Sequence, residues 1–257
     1  MNRRNIQIAA IIVVLVMIGA GIWLYKAVQG DTKAASGPIT AVPLDLSAPS
    51  ATKAPVASQA TAATTEVSPV VSTAAPAAGL TRFQIVQAES KASFTLDEQL
   101  NGQPKTVVGT TDQIAGEVAV SPSDLSSVKV GVISVNARTL ATDSDRRDRA
   151  IKNIILSTDS YELITFTPTG IVGLSGSGTP GTPYTFQITG NLTIRDKTVP
   201  VVFQTTVTAE SSTRLSGTAT TTVNRGDFGL TIPNVPMVAN VSEQVKIDIV
   251  FVATTSS

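Results

Sequence analysis

The densest run of side chains able to do chemistry is Asp143, Asp145, Arg146, Arg147, Asp148 and Arg149. A guanidinium fork matches phosphate and carbonyl oxygens with paired hydrogen bonds, so Arg147 or Arg149 could clamp a pyrophosphate or quinone headgroup. The same run also reads as the solvated start of a helix, where local ion pairs contribute little. Asp143, Asp145 and Asp148 offer the hard oxygen ligands that calcium takes, but the interleaved arginines oppose a bound cation, and no metal site is expected. A second pair, Arg225 and Asp227, lies two residues apart. That spacing puts both on one face of a strand, as a cross-strand ion pair or as a ligand contact.

The chain has no His and no Cys. This removes zinc fingers, thiol nucleophiles, disulfide frameworks, Ser-His pairs and His-ligated metals or haem. Catalysis would fall to carboxylates, Lys, Ser or Tyr, and no constellation of these stands out. No catalytic residue and no cofactor are assigned, and the chain is read as a non-enzyme. Lys and Arg number 19 against 19 Asp and Glu. A neutral balance argues against a nucleic-acid partner.

Three zones must position these residues. In the first, residues 1–30, Arg3 and Arg4 precede an apolar run over 6–24 whose one strongly polar side chain is Gln7. As a helix that run reaches about 28 Å, near the thickness of a bilayer's hydrocarbon. Trp23 and Tyr25 stand at its far end, where aromatics favour the headgroup layer, and the leading arginines favour a cytoplasmic N-terminus. The expectation is an uncleaved, single-pass signal-anchor, with a cleaved export signal as the alternative. Both readings export the rest of the chain. In the second zone, 31–79, Ala, Ser, Thr and Pro make up 33 of 49 residues, and none is aromatic. Six prolines break any helix, and so little apolar area cannot offset chain entropy. A disordered tether is expected there.

The third zone, 80–257, is the part able to fold, and its period is two. Tyr184, Phe186, Ile188, Leu192 and Ile194 fall on even positions. Val201, Phe203 and Val207 fall on odd ones, as do Val245, Ile247, Ile249 and Phe251. Each pattern is a strand with one face buried. Asn101-Gly102, the 173–181 stretch, Arg195-Asp196-Lys197 and Ser216-Gly217 are turn signals between them. A run at 128–135 is apolar enough for a strand bent at Gly131. One segment follows a helical period instead, with Ala150, Ile151, Ile154 and Ile155 on one face and Asp143, Ser144 or Asp145 as N-cap. Many strands, one short helix and no βαβ alternation mean an antiparallel sandwich or a closed barrel.

Four stretches then resemble the YceI-like family. Phe83-Gln84-Ile85-Val86 and Glu89-Ser90-Lys91-Ala92-Ser93-Phe94 match its opening strand, though the family's early His is absent. Val135-Asn136-Ala137-Arg138-Thr139-Leu140, with Thr142-Asp143 and Arg147-Asp148, is similar to its central strand and the Arg-Asp pair opening its helix. The passage 155–166 looks like its Leu-to-Thr-Phe segment, with Glu162 where many members have Pro. Ile188 to Ile194 and Arg225-Gly226-Asp227-Phe228-Gly229 resemble its Gly-x-Leu-Thr and Arg-x-Asp-Phe-Gly motifs. The resemblance covers nearly all of 80–257, in the family's order.

What the resemblance implies for 80–257 is an all-β, antiparallel, lipocalin-like β-barrel with one short helix, which the transmembrane helix and disordered linker read from the first two zones precede. Such barrels are exported and hold long isoprenoid chains. Phe94, Phe166, Phe186, Ile188, Phe203 and Phe228 would line the channel, where otherwise they would fill a core. Arg147, Asp148 and Arg225 would stand near the headgroup, or Arg147 and Asp148 would fix the helix against the barrel. The expected function is a membrane-anchored, extracytoplasmic protein that sequesters or transports a polyisoprenoid or quinone tail. A stalked β-domain that docks a protein or the cell wall is the alternative.

Overall fold

The computed structural model describes residues 33–44, 46 and 79–255. The expected membrane span and most of the expected tether lie outside the described residues. No helix among the described residues is long and apolar enough to cross a membrane.

The described chain forms one antiparallel sheet of thirteen strands. The first group is β1 (Thr81–Ile85), β2 (Lys91–Leu100), β3 (Gln103–Thr111), β4 (Ile114–Ala115) and β5 (Glu117–Ser121). Next come β6 (Asp124–Val130), β7 (Ile133–Asn136), β8 (Leu163–Val172) and β9 (Pro183–Ile194). The last are β10 (Lys197–Ser211), β11 (Arg214–Asn224), β12 (Val238–Ala239) and β13 (Gln244–Thr255). The pairing runs β4-β7-β8-β9-β10-β11-β13-β1-β5-β6, and β2 joins β13 to β3. Only Gly116 separates β4, at one end of this path, from β5, near the other. The sheet therefore curls to bring β4 close to β5 without pairing them, as a lipocalin-like half-barrel.

Asn101 and Gly102 both adopt positive φ, and they close the β2–β3 hairpin as a two-residue turn. Arg195-Asp196 does the same between β9 and β10. The bend expected near Gly131 separates β6 from β7. Ser216-Gly217, expected as a turn, lies inside β11 instead. Gly217 pairs with both Val207 and Phe251 there, and the turn falls at 212–213. Arg225 and Asp227 also depart from expectation. They sit in a 3-10 turn, Arg225–Phe228, not on a strand, and Arg225 pairs with Glu243 at 2.9 Å instead of with its neighbour.

The α-helix among the described residues, α1 (Asp145–Ala150), is capped by Ser144, whose Oγ accepts from the Arg147 amide at 3.4 Å. It continues as a π-helical turn over Ile151–Ile155. Phe166, Phe186, Phe203 and Phe228 are the aromatic members of the main buried cluster. Residues 33–44, from the stretch read as tether, are held to the turns at Gln87–Glu89 and Ala137–Thr139, to Glu162 and to the start of β5. The Ser36 amide donates to Glu162 at 2.8 Å and the Leu44 amide to Glu117 at 2.9 Å. Arg138 and the Gln87 side chain donate to the carbonyls of Ala34 and Ile39.

Candidate ligand-binding site

Filled β cores bury their inward side chains completely. Here Val207, Val245, Ile247 and Ile249 face the buried cluster yet keep partial exposure. They border open space. Two cavities occupy the interior, one of about 290 Å³ and one of about 510 Å³.

The small chamber is bounded by the end of β13, by β1, β5 and β6, and by the 174–180 loop. Phe83, Phe186, Ile188, Val207 and Phe251 are among its walls. The large chamber lies toward α1. Phe94, Leu192, Val223, Phe228 and Ile247 line it, with Ile151 and Ile155 of the helical segment across one side. Four residues belong to both walls: Ile133, Phe166, Phe203 and Ile249. Phe166 and Phe203 meet edge to face with centroids 4.9 Å apart. At this belt two apolar chambers adjoin.

The space exists because rings lie along the wall. Phe94 stands directly across the sheet from Gly109, and Phe251 from Gly217. Phe166 lies beside Gly190, where a Cβ would come within 2.5 Å of its ring. Without a Cβ opposite, each ring can lie flat instead of crossing the lumen.

Polar groups gather at the large chamber's mouth. The Glu98 carboxylate is buried and meets Arg147 Nη2 at 2.8 Å. Arg147 also pairs with Asp143, and Asp143 with Lys105 at 2.7 Å. The Lys105 ammonium, with Arg147 beside it, holds the Asp143 carboxyl below the usual range. Asp148 lines neither chamber. Its Oδ1 accepts from the Thr142 amide at 2.8 Å and the Thr142 hydroxyl at 2.6 Å, which fixes the turn leading into α1. Arg225 reaches the large chamber's wall while donating to the carbonyls of Ser242 and Leu230. It thereby pins both ends of the 230–242 segment.

Of the residues singled out from sequence, Phe94, Phe228, Arg147 and Arg225 thus border the large chamber, and Phe186 and Ile188 the small one. Phe166 and Phe203 border both. Sequence reasoning missed the cover formed by Ile232, Val235, Met237 and Val241 over the large chamber. The signal was an apolar stretch that Pro233 and Pro236 keep from becoming a helix.

The model of the YceI-like domain matches residues 83–253. No curated protein matches the chain. Among solved structures, it is similar to a polyisoprenoid binding domain from Saccharophagus degradans implicated in plant cell wall breakdown. That match has TM-score 0.54 and 15% identity, over 69% of this chain and 99% of the other. BcnA of Burkholderia cenocepacia aligns with TM-score 0.52 and 19% identity, over 66% and 99%.

Proposed function

The chain belongs to the YceI-like domain family, and from that premise we propose that it sequesters or transports an isoprenoid-type lipid, a polyisoprenoid or a quinone tail, inside its half-barrel. The observation that carries the reading is the pair of adjoining, apolar-walled chambers where a β domain of this size would ordinarily pack a solid core. The Saccharophagus degradans neighbour, described as polyisoprenoid binding, supports the same ligand class.

Burying a methylene is worth about 0.8 kcal/mol, so each isoprene unit contributes roughly 3–4 kcal/mol. A few units offset the roughly 4–15 kcal/mol of freedom lost on association. Binding is burial, with no bond made or broken. The sequence of residues 1–30 supports an anchor that holds the domain on the extracytoplasmic side of the membrane in which such lipids dissolve.

The test is to purify the full chain and identify co-purifying molecules by native mass spectrometry and solvent extraction. A stoichiometric prenol, prenyl chain or quinone is the expected result. A protein that carries none, and takes up neither added geranylgeraniol nor added ubiquinone, would leave the stalked interaction module as the better account.

A further inference from the structure

On β2 the inward positions read Ala92, Phe94, Leu96, Glu98 and Leu100, and all five border the large chamber. The row holds one carboxylate among apolar side chains. Glu98 is the one buried polar residue on that chamber's wall among the described residues. One of its oxygens, Oε1, accepts from Arg147 Nη2 at 2.8 Å. The other, Oε2, has no hydrogen-bond partner among the described residues. It is not sealed in the wall, as the unpartnered Thr205 Oγ1 is, but stands open where Glu98 meets the chamber.

The polar groups beside it are engaged or outside. Arg147 is shared between Glu98 and Asp143, and Lys105 pairs with Asp143. Ser93 Oγ donates to the Asp248 carbonyl at 3.3 Å, and Ser144 caps α1. Arg225 is held by Glu243 and by two carbonyls, and Arg146 stands exposed at the rim. A carboxylate has about four lone-pair sites, and a buried ion pair is favourable only when those left over are also met. Bare hydrocarbon filling the chamber would leave Oε2 facing methylenes, a charged acceptor unmet. Arg147 already balances the charge, so the group that suits Oε2 is a neutral donor and not a second cation. A quinone carbonyl or an ether offers no hydrogen, and a phosphate brings a like charge.

We infer that the mouth of the large chamber selects a lipid whose end is a neutral O–H. Glu98 Oε2 accepts its hydrogen, and the hydrocarbon lies inward among Phe94, Val223 and Phe228. This rests on the isoprenoid reading and narrows it to prenols and quinols, against quinones and prenyl phosphates.

The test titrates the purified full chain with all-trans-geranylgeraniol, its methyl ether and its monophosphate, and repeats the first two with Glu98→Gln. Wild type is expected to bind the alcohol about tenfold more tightly than the ether, the loss that goes with one hydrogen bond to a charged group. It should also bind the alcohol more tightly than the phosphate. In E98Q the amide oxygen turns to Arg147 and the amide N–H takes the place of Oε2, so the ether gains a donor. Alcohol and ether should then bind within about twofold of each other. If wild type binds the alcohol no better than the ether, or binds the phosphate better, the inference is overturned while the isoprenoid reading stands. A preference for the alcohol that persists unchanged in folded E98Q overturns it too, since the extra methyl and not Glu98 would then be the cause. If wild type takes up none of the three, and no ubiquinone either, the isoprenoid reading falls and the inference with it. The wild-type comparison needs no variant, so it still decides if E98Q does not fold.

Discussion

At the mouth of the large chamber a carboxylate is buried against one guanidinium. Glu98 has 6% of its side chain exposed and Arg147 17%, and the 2.8 Å contact between them is the ion pair that Glu98 makes. Removing one partner of such a pair strands the other charge away from water, which costs far more than the pair is worth in place. Arg147→Ala is therefore expected to lower stability by about 3 kcal/mol in chemical denaturation. Adding Glu98→Gln should recover most of that loss, because the stranded charge is gone. A headgroup clamp would behave differently, with stability within about 0.5 kcal/mol of wild type and a selective loss of affinity for charged lipid ends. Asp148 follows similar logic at smaller scale. Both its contacts go to Thr142, so its role is read in the placement of α1.

Whether a phenylalanine fills a core or lines a tunnel is decided between strands. Phe166 on β8 lies flat because Gly190 on β9 offers no Cβ, and an added one would meet its Cζ at 2.5 Å and the Thr167 carbonyl at 2.6 Å. Gly190→Ala should swing the ring into the belt, narrow the passage between the chambers and cost about 1–3 kcal/mol through overpacking. The expected readout is a loss of long-chain binding with short-chain binding to one chamber preserved. Equal binding of both lengths by G190A would show that the belt does not gate the chain. These pairings also mark how much was legible in sequence. The alternation in 184–194, 201–207 and 245–251 gave β9, β10 and β13 their inward faces, since a period of two records burial directly. Breaks in strands were harder to read. The turn at Gln87–Glu89 splits β1 from β2, and Gly116 splits β4 from β5, because the sheet must change partners there. Gly217 looked like punctuation, since nothing local announces that Phe251, 34 residues later, will lie across from it. The orphaned hydroxyl of Thr205 was likewise invisible, because Thr suits any strand and its missing partner is a fact about distant neighbours.

For the molecule as a whole, the segment 33–44 is held to the half-barrel through a polar cluster built on Glu162. Its carboxylate accepts from the Ser36 amide and hydroxyl, from Asn136 Nδ2 at 3.1 Å and from Arg138 at 2.9 Å. Arg138 also donates to the Ala34 carbonyl at 3.0 Å, so both charged groups grip the same stretch of chain. The Ser36 hydrogen bonds come first in holding the Glu162 carboxyl below its usual range, with Asn136 and Arg138 adding to them. A carboxyl lowered in this way favours the docked state fully above the ordinary carboxyl value of about 4.3. That contribution is lost as pH falls through the lower, docked value. Hydrogen exchange, corrected for its intrinsic pH dependence, should show residues 33–44 protected near neutrality and released in acid, while β9 and β10 stay protected. Glu162→Gln keeps an acceptor but no charge, and it should weaken protection at neutral pH and flatten the acid response. Protection of 33–44 that ignored both pH and this substitution would move the hold on the segment to Gln87 and Glu117. With the segment docked, the chain preceding Lys33 joins the half-barrel on its Arg138–Glu162 face, well before the Ala- and Pro-rich stretch of 47–79 begins.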